Sequence, residues 1–194
     1  MAHLPRPKIL VFAGSIRSGS LSQKLANAAA KELALNDADV TKISLADYPL
    51  PIYDGDLEKE KGVPENGVKL ARLIAAHQGV FIATPEYNNS LPPLLKNAID
   101  WVSRIRESSG IKYRYRVYGV GSTSDGRYGG ARALIDLRRA ISTGLRAVIV
   151  PDKIEVSYAD RAFNESGDLA DEAYERLLKA VVTHLIDFAR RLAD

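Results

Sequence analysis

The chain has 194 residues, of which 46% are hydrophobic and 26% charged, with a formal net charge of +3. This composition is typical of a soluble globular protein, and we expect residues 1–194 to form a single domain. The sequence contains no cysteine, which excludes disulfides, thiolate nucleophiles, Cys-ligated metal centres and dithiol redox pairs. Any redox chemistry in this protein must therefore come from a bound cofactor.

Targeting and charge patterns narrow the possible partners. Residues 1–8 lack the apolar stretch of a signal peptide, and no later run is long enough to span a bilayer. We therefore expect a cytoplasmic protein that does not enter a membrane. Lysine and arginine are interspersed with aspartate and glutamate, so we do not expect nucleic acid as a partner. The small positive charge favours small anionic ligands.

Apolar segments of two kinds alternate along the chain. Short β-type runs such as residues 8–12 are typical of strands buried on both faces. Between these runs, apolar residues recur at helical spacing. Strands are predicted at residues 8–12, 39–44, 79–84, 116–121 and 146–150. Helices are predicted at residues 20–35, from residue 64 onward, and at 92–104, 129–142 and 168–192, with a long loop at 45–64.

Strands that alternate with helices in this way predict an α/β fold. Each parallel connection needs a crossover, so we expect a doubly wound parallel sheet of five strands with helices on both faces. Ligands of such sheets bind beyond the carboxyl ends of the strands. We therefore expect the functional residues in the loops that follow Phe12, Thr84 and Gly121.

The first of these loops, residues 14–22, has the composition of a phosphate-binding loop. Gly14 and Gly19 allow a turn that points backbone N–H groups into a concavity, and serine hydroxyls add donors beside a helix N-terminus. The glycine spacing matches a Walker A loop, but Ser20 stands where phosphoryl transfer requires lysine, which disfavours a kinase or NTPase. Arg17 would neutralise a phosphomonoester. The alternative is a serine-rich turn that only caps the helix.

The second loop follows Thr84 and contains the sequence Pro-Glu-Tyr-Asn, with two further prolines at its end. Prolines on both sides make the loop stiff, so its exposed backbone N–H groups have fixed directions. We call this stiff loop the wall, because it could form one side of a binding site for a flat heteroaromatic ring. An ordinary helix entry capped by asparagine or serine explains the same composition equally well.

Three segments, in chain order, resemble the NADPH-dependent FMN reductase family, a flavodoxin-like group that includes quinone, chromate and azo reductases. The segments are GSIRSGS at 14–20, TPEYN at 84–88 and LKNAIDWVSR at 95–104, and GGAR follows at 129–132. The resemblance implies one flavodoxin-like domain that binds the FMN phosphate through the first loop and the isoalloxazine edge through the second. The cofactor-binding residues that it implies are Ser15, Arg17, Ser20, Leu21, Ser22, Pro85, Glu86, Tyr87, Asn88 and Ser124.

The family commonly has asparagine at the position of Ser22, whose hydroxyl can also donate to a phosphate. The resemblance implies hydride transfer from NADPH or NADH through FMN to a small acceptor, such as a quinone, free flavin, azo compound, chromate or ferric complex. The chemistry lies in the cofactor, so no catalytic acid, base or metal site is expected. The alternative is a flavodoxin-type electron carrier that does not oxidise a nicotinamide. The positive net charge and the Pro-Glu-Tyr-Asn loop favour the reductase.

The predicted helix at 92–104 contains an aromatic residue that indicates association of several copies of the chain. Large aromatic residues are enriched in interface cores, and the resemblance to dimeric and tetrameric reductases places Trp101 at a subunit interface. We therefore expect a homodimer or homotetramer with this helix at the interface. Lys96, Asp100 and Arg104 are spaced to pair along one face of the helix.

Four other side chains have simpler interpretations. Arg127 and Tyr128, in the third loop, either bind the nicotinamide nucleotide or form a solvated loop tip, and we favour the loop tip. His77 ends a predicted helix, and His184 lies near Asp187 on the last helix. We expect both histidines to be structural.

Overall fold

A parallel β-sheet forms the centre of the structure, a computed structural model that describes residues 6–114 and 116–192. Its strands are β1 (Lys8–Ala13), β2 (Asp39–Lys42), β3 (Gly79–Pro85), β4 (Val117–Thr123), β5 (Val148–Ile149) and β6 (Ile154–Val156). They lie in the order β2-β1-β3-β4-β5, and β6 also pairs with β4. Every pairing is parallel. This strand order is the flavodoxin-like one and confirms the predicted fold class.

Helices cover both faces of the sheet. They are α1 (Leu21–Leu35), α2 (Gly55–Lys61), α3 (Glu65–Ala76), α4 (Pro93–Ser103), α5 (Ala131–Arg139) and α6 (Glu172–Arg191). A π-helical turn, Ala140–Gly144, extends α5, and 3-10 turns lie at Leu45–Asp47 and Glu107–Ser109. Helices α1 and α6 pack on one face, while α3, α4 and α5 pack on the other.

Strand β1 shows why the apolar runs are continuous. Ile9 and Val11 belong to the core on the side of α1 and α6, whereas Leu10 and Phe12 belong to the core under α3 and α4. Successive side chains of a strand point to opposite faces, and here both faces are covered. An alternating apolar and polar pattern is therefore absent from this strand.

The edge of the sheet differs from the prediction. The strand predicted at residues 146–150 is shortened to β5, which pairs with the beginning of β4, and a further strand that was not predicted, β6, pairs with the end of β4. Pro151 lies between them. Proline has no N–H to donate to the ladder, which explains why the edge strand is interrupted there.

The segment at 45–64, predicted as a loop, also differs. It contains a 3-10 turn and helix α2. Asp54 caps α2, since its carboxylate accepts the N–H of Asp56 at 2.8 Å, and Gly62 ends the helix with a φ of 75°. The prediction was wrong because the prolines and glycines around α2 hid this capping pattern. Within the described ranges, no helix has the length and apolar character needed to cross a membrane.

Candidate functional site

The carboxyl ends of β1, β3 and β4 open onto one cleft of about 190 Å³. Residues from all three predicted loops line it. All of the predicted cofactor residues except Asn88 are among them, together with Thr123 and Asp125, which were not predicted. The lining residues are Ser15, Arg17, Ser20, Leu21, Ser22, Pro85, Glu86, Tyr87, Thr123, Ser124 and Asp125. The parallel sheet thus brings together segments that lie about a hundred residues apart in the sequence.

Two glycines shape the first loop for different reasons. The N–H of Gly14 donates to the carbonyl of Ala83 at 2.8 Å, which joins the loop to β3. A Cβ at Gly14 would lie 2.9 Å from Leu95 Cδ2, so the close approach of α4 requires glycine there. Gly19 has a φ of 68°, in the left-handed region that glycine adopts without strain. The chain then turns directly into α1.

Hydroxyl groups of the first loop gather at the N-terminus of α1. Ser20 caps the helix, since its Oγ accepts the N–H of Gln23 at 3.4 Å. The Oγ atoms of Ser20 and Ser22 are 2.9 Å apart, and both residues are buried. The Oγ of Ser15 accepts the N–H of Arg17 at 3.3 Å. Hydroxyl and N–H donors at the positive end of a helix form an environment that favours an anion.

Arg17 is the cation of this cleft lining. Its side chain is exposed and makes no hydrogen bond or ion pair with any residue in the described part of the chain. A guanidinium group offers paired donors that match phosphate oxygens. Arg17 is therefore available to bind a phosphate group.

The second loop is fixed to the first turn of α5 by Glu86. One carboxylate oxygen of Glu86 accepts the backbone N–H groups of Arg132 at 2.9 Å and of Ala133 at 3.2 Å. These are N–H groups of the first turn of α5, which have no partner within their own helix. Glu86 was predicted at the cofactor, but this bond could not be predicted, because α5 begins more than forty residues later.

A tight turn ends the wall formed by the second loop. Tyr87 and Ser90 exchange two backbone hydrogen bonds, each 3.0 Å long. Asn88 and Asn89 between them have φ values of 48° and 62°, as a type I′ turn requires, and asparagine tolerates this conformation. Asn88 therefore lies at the tip of the turn and does not line the cleft.

Thr123, at the end of β4, has a buried hydroxyl whose lack of a partner in the described part of the chain could not be predicted from the sequence. Its Oγ1 is buried and has no hydrogen-bond partner among the described residues. Buried hydroxyls are almost always paired, so this hydroxyl is available to form a hydrogen bond with a group in the cleft. Ser122, its neighbour, is satisfied because its Oγ donates to the carbonyl of Gly129 at 2.7 Å.

Trp101 does not lie at a surface, so its predicted place in a subunit interface is wrong. Its side chain is fully buried, and Nε1 donates to the carbonyl of Pro51 at 2.8 Å. The ring of Tyr53 packs edge-on against the indole with centroids 5.0 Å apart. The segment that follows β2 folds over α4 and covers Trp101 within the same chain.

The charges predicted to pair along α4 do so only in part. Lys96 pairs with Asp100 at 2.7 Å, but Arg104 pairs with Glu58 of α2 at 2.8 Å. Hydrogen bonding by Arg104 holds the pKa of the Glu58 carboxyl below its usual value. This ion pair joins α2 to the end of α4.

His77 and His184 contact groups outside the cleft lining. The Nδ1 of His77 lies 2.6 Å from the carbonyl of Leu73 at the end of α3, and the residue is buried. His184 contacts Asp152 rather than Asp187. Asp152 belongs to the link between β5 and β6, which the sequence did not place beside α6.

Comparison with known proteins agrees with this geometry. Residues 7–160 match the family model described as NADPH-dependent FMN reductase. A quinone reductase of Escherichia coli is 32% identical over 188 residues, covering 95% of this chain and 96% of that protein. An NAD(P)H-dependent FMN reductase of Pseudomonas aeruginosa is 33% identical over 187 residues, with the same coverage.

A solved structure extends the likeness to three dimensions. FerB of Paracoccus denitrificans, a flavoenzyme NAD(P)H:(acceptor) oxidoreductase, superposes with a TM-score of 0.75 at 28% identity, covering 96% of this chain and 98% of that one. These relatives favour the reductase hypothesis over the electron carrier. The chain is a flavin-dependent oxidoreductase and belongs to the family of NADPH-dependent FMN reductases.

Proposed function

We propose that the protein reduces quinones at the expense of NADPH or NADH, with FMN held in the cleft between the first and second loops. The observation that carries this proposal is the unpaired Arg17, which lies in the same cleft as the stiff wall of residues 85–87. The quinone reductase of E. coli, similar over 95% of this chain, supports the choice of acceptor. Free flavins, azo compounds, chromate and ferric complexes are further candidate acceptors.

The donors of the cleft fit the two ends of FMN. The hydroxyls of Ser15, Ser20 and Ser22, with Arg17, would hold the phosphate, and Leu21 would line the chain between phosphate and ring. Pro85, Glu86 and Tyr87 on one side, with Ser124 on the other, would hold the ring, and Asn88 would reach its edge from the tip of the turn beside the cleft. The unpaired hydroxyl of Thr123 offers one more hydrogen bond at the same place.

The side chains contribute position and electrostatics rather than acid–base chemistry. When bound, FMN supplies the capacity to accept and release hydride. The type I′ turn and the bond from Glu86 to α5 keep the wall in one place, so a planar ligand meets fixed backbone dipoles. No side chain of the cleft lining is needed as a proton donor or acceptor in this proposal.

The test is to add NADPH without oxygen to the purified yellow protein and follow the flavin absorbance at 450 nm. Rapid bleaching, followed by recovery when a benzoquinone is added, is the expected result. Absence of bleaching would indicate an electron carrier. Bleaching without recovery would contradict a quinone as the acceptor.

We also infer a homodimer or homotetramer whose interface lies near the cleft and α4. Trp101 no longer supports it, but Ile52, in the segment that covers Trp101, is 76% exposed, and Tyr87 at the cleft is also exposed. Large apolar side chains exposed in this way are frequent at interfaces. Light scattering should give at least twice the monomer mass, and a monomeric mass at micromolar concentration would contradict the inference. A single domain over residues 1–194 and a cytoplasmic location stay predictions.

A further inference from the structure

The third loop and the first turn of α5 carry an arrangement of charged and aromatic side chains that the cleft lining does not include. The guanidinium carbon of Arg127 lies 5.2 Å from the ring centroid of Tyr128, and that of Arg132 lies 5.0 Å from the same centroid. The Tyr128 side chain is 55% exposed. We call these three residues the arginine–tyrosine stack. Two guanidinium groups held beside one ring concentrate positive charge on an exposed surface.

The charge of the stack is only partly balanced within the chain. Arg132 lies 3.8 Å from Glu86, but the other oxygen of that carboxylate already accepts two backbone N–H groups of α5. The Nη1 of Arg132 donates to Asn89, which is neutral. Arg127 makes no ion pair with any residue in the described part of the chain. The exposed Asp125, two residues away, is the carboxylate of the same loop.

The stack lies beside the mouth of the cleft. Ser124 and Asp125, earlier in its own loop, line the cleft, as do Glu86 and Tyr87 of the wall. Arg132 contacts that wall at both Glu86 and Asn89. A ligand in the cleft that extends past Glu86 would therefore bring an anionic group close to Arg132 and to the Tyr128 ring beside it.

The loop that carries Arg127 and Tyr128 is held in place by hydrogen bonds to the end of β6 and the residues after it. The N–H of Ser124 donates to the carbonyl of Val156, and the N–H of Tyr158 donates to the carbonyl of Gly126, both at 3.2 Å. The Oγ of Ser157 donates to the carbonyl of Arg127 at 2.8 Å. Gly129 has a φ of 58°, and a Cβ there would lie 3.0 Å from backbone atoms of residues 155 and 157. A preorganised loop loses little entropy when a ligand binds.

From these contacts we infer that the arginine–tyrosine stack is a phosphate-binding subsite for the nicotinamide dinucleotide, with Arg127 as the principal ligand. This inference rests on the proposed function and replaces the expectation that Arg127 and Tyr128 form only a solvated loop tip. In our proposal the cation of the cleft lining, Arg17, is taken by the FMN phosphate. The phosphates of a dinucleotide need further cations, and the stack supplies them next to the cleft. Tyr128 acts as a positioning residue that keeps the two guanidinium groups together.

The test measures affinity without turnover. The dissociation constants of NADP⁺ and NAD⁺ for the FMN-loaded protein are measured by titration calorimetry for the wild type, Arg127→Ala and Arg127→Lys. Loss of one charged contact at an exposed site corresponds to about a tenfold weaker affinity. We expect Arg127→Ala to show this loss and Arg127→Lys to recover part of it, because lysine keeps the charge but not the paired donors. Arg176→Ala, which removes an exposed arginine from α6, is the matched control.

The two nucleotides distinguish which phosphate the subsite holds. Weaker binding of NADP⁺ alone assigns the stack to the 2′-phosphate, and weaker binding of both assigns it to the pyrophosphate. If Arg127→Ala binds both nucleotides like the wild type, or if Arg176→Ala loses as much affinity, the inference is wrong.

The ring is tested separately. Tyr128→Phe keeps the stack and should bind like the wild type, whereas Tyr128→Leu should weaken NADP⁺ binding by a few fold. Equal affinity of Tyr128→Leu and the wild type would contradict the positioning role. Anaerobic bleaching of the wild-type flavin by NADPH is measured on the same preparation. Failure of bleaching overturns the proposed function, while bleaching with unchanged nucleotide affinity in Arg127→Ala overturns only the subsite.

Discussion

The first loop, residues 14–22, and the segment at 45–64 both follow strands of the sheet and were both expected to be loops, yet they use their polar groups in opposite ways. In the segment at 45–64, the carbonyl of Pro51 accepts hydrogen bonds from Asn97 and Trp101, each 2.8 Å long, and the N–H of Tyr53 donates to Asn97. In the first loop, the guanidinium group of Arg17 has no hydrogen-bond or ion-pair partner among the described residues. The two segments differ in whether their hydrogen-bond donors are paired within the described part of the chain, and the unpaired donor of the first loop, not the length of either loop, indicates the ligand site.

We expect the largest loss of stability when the packing of the segment at 45–64 against α4 is removed. Trp101→Ala removes a fully buried indole and leaves the carbonyl of Pro51 with one hydrogen bond fewer. Truncation of a buried tryptophan costs about 3–5 kcal/mol of unfolding free energy. Guanidinium unfolding monitored by circular dichroism measures this, with Trp101→Phe as a milder control.

The affinity of folded Trp101→Ala for FMN should remain close to that of the wild type. If Trp101→Ala costs less than about 1 kcal/mol, the segment does not stabilise the fold as described. If FMN affinity falls more than in the Arg17 variant below, the division between a structural and a binding segment is wrong.

Arg17→Ala should weaken FMN binding without destabilising the fold, which is the reverse of the effect expected for Trp101→Ala. A charge-assisted hydrogen bond contributes roughly 1.5–3 kcal/mol, so FMN affinity should fall about ten- to a hundredfold while the unfolding free energy of the apoprotein changes by less than about 0.5 kcal/mol. Quenching of flavin fluorescence measures the affinity, and high salt should weaken the wild-type complex too.

Arg17→Lys should restore part of the FMN affinity, because it keeps the charge. Lys31→Ala is the matched control, since Lys31 is an exposed cation of α1 that pairs with Asp168 away from the cleft lining. Wild-type affinity in Arg17→Ala would place the phosphate elsewhere.

The smallest expected effect concerns the ion pair between Glu58 and Arg104. Arg104 lowers the pKa of Glu58 in the folded protein. Its stabilising contribution is therefore present above the pKa of the unfolded state, near 4.5, and is lost as the pH falls through the folded value. The pair is partly exposed, which limits its contribution to about 1 kcal/mol or less.

Glu58→Gln should therefore be slightly less stable than the wild type at pH 7, and the two should converge in acid. Thermal unfolding at several pH values between 7 and 3.5 measures the difference, while FMN affinity at pH 7 stays unchanged. A constant difference across this range would show that the charge of Glu58 contributes nothing.

The order of strands and helices could be predicted from the sequence because it depends on local apolar patterns. Both faces of β1 are buried, so its run of apolar residues is unbroken, and the crossover rule then leaves few topologies. The interruption at Pro151 follows from a single residue, and helix α2 follows from the cap at Asp54. Both signals were present in the sequence but were outweighed by the patterns around them.

The site was predictable where its residues form contiguous loops and not where the fold brings distant groups together. Ser15 and Arg17 stand together in a pattern suited to phosphate, whereas the bond from Glu86 to α5 spans more than forty residues. Thr123 looks like any strand residue until its hydroxyl is found buried without a partner among the described residues. The burial of Trp101 depends on how a segment fifty residues earlier folds over α4.

The bond between Glu86 and α5 has a consequence for how the cleft can move. Because one carboxylate accepts the amide N–H groups of Arg132 and Ala133, the wall cannot separate from the first turn of α5 without exposing both amide protons to solvent. These two protons are therefore natural reporters of cleft opening. Their rates of exchange with deuterated water record how often the wall separates from α5, in a protein that carries no label or probe.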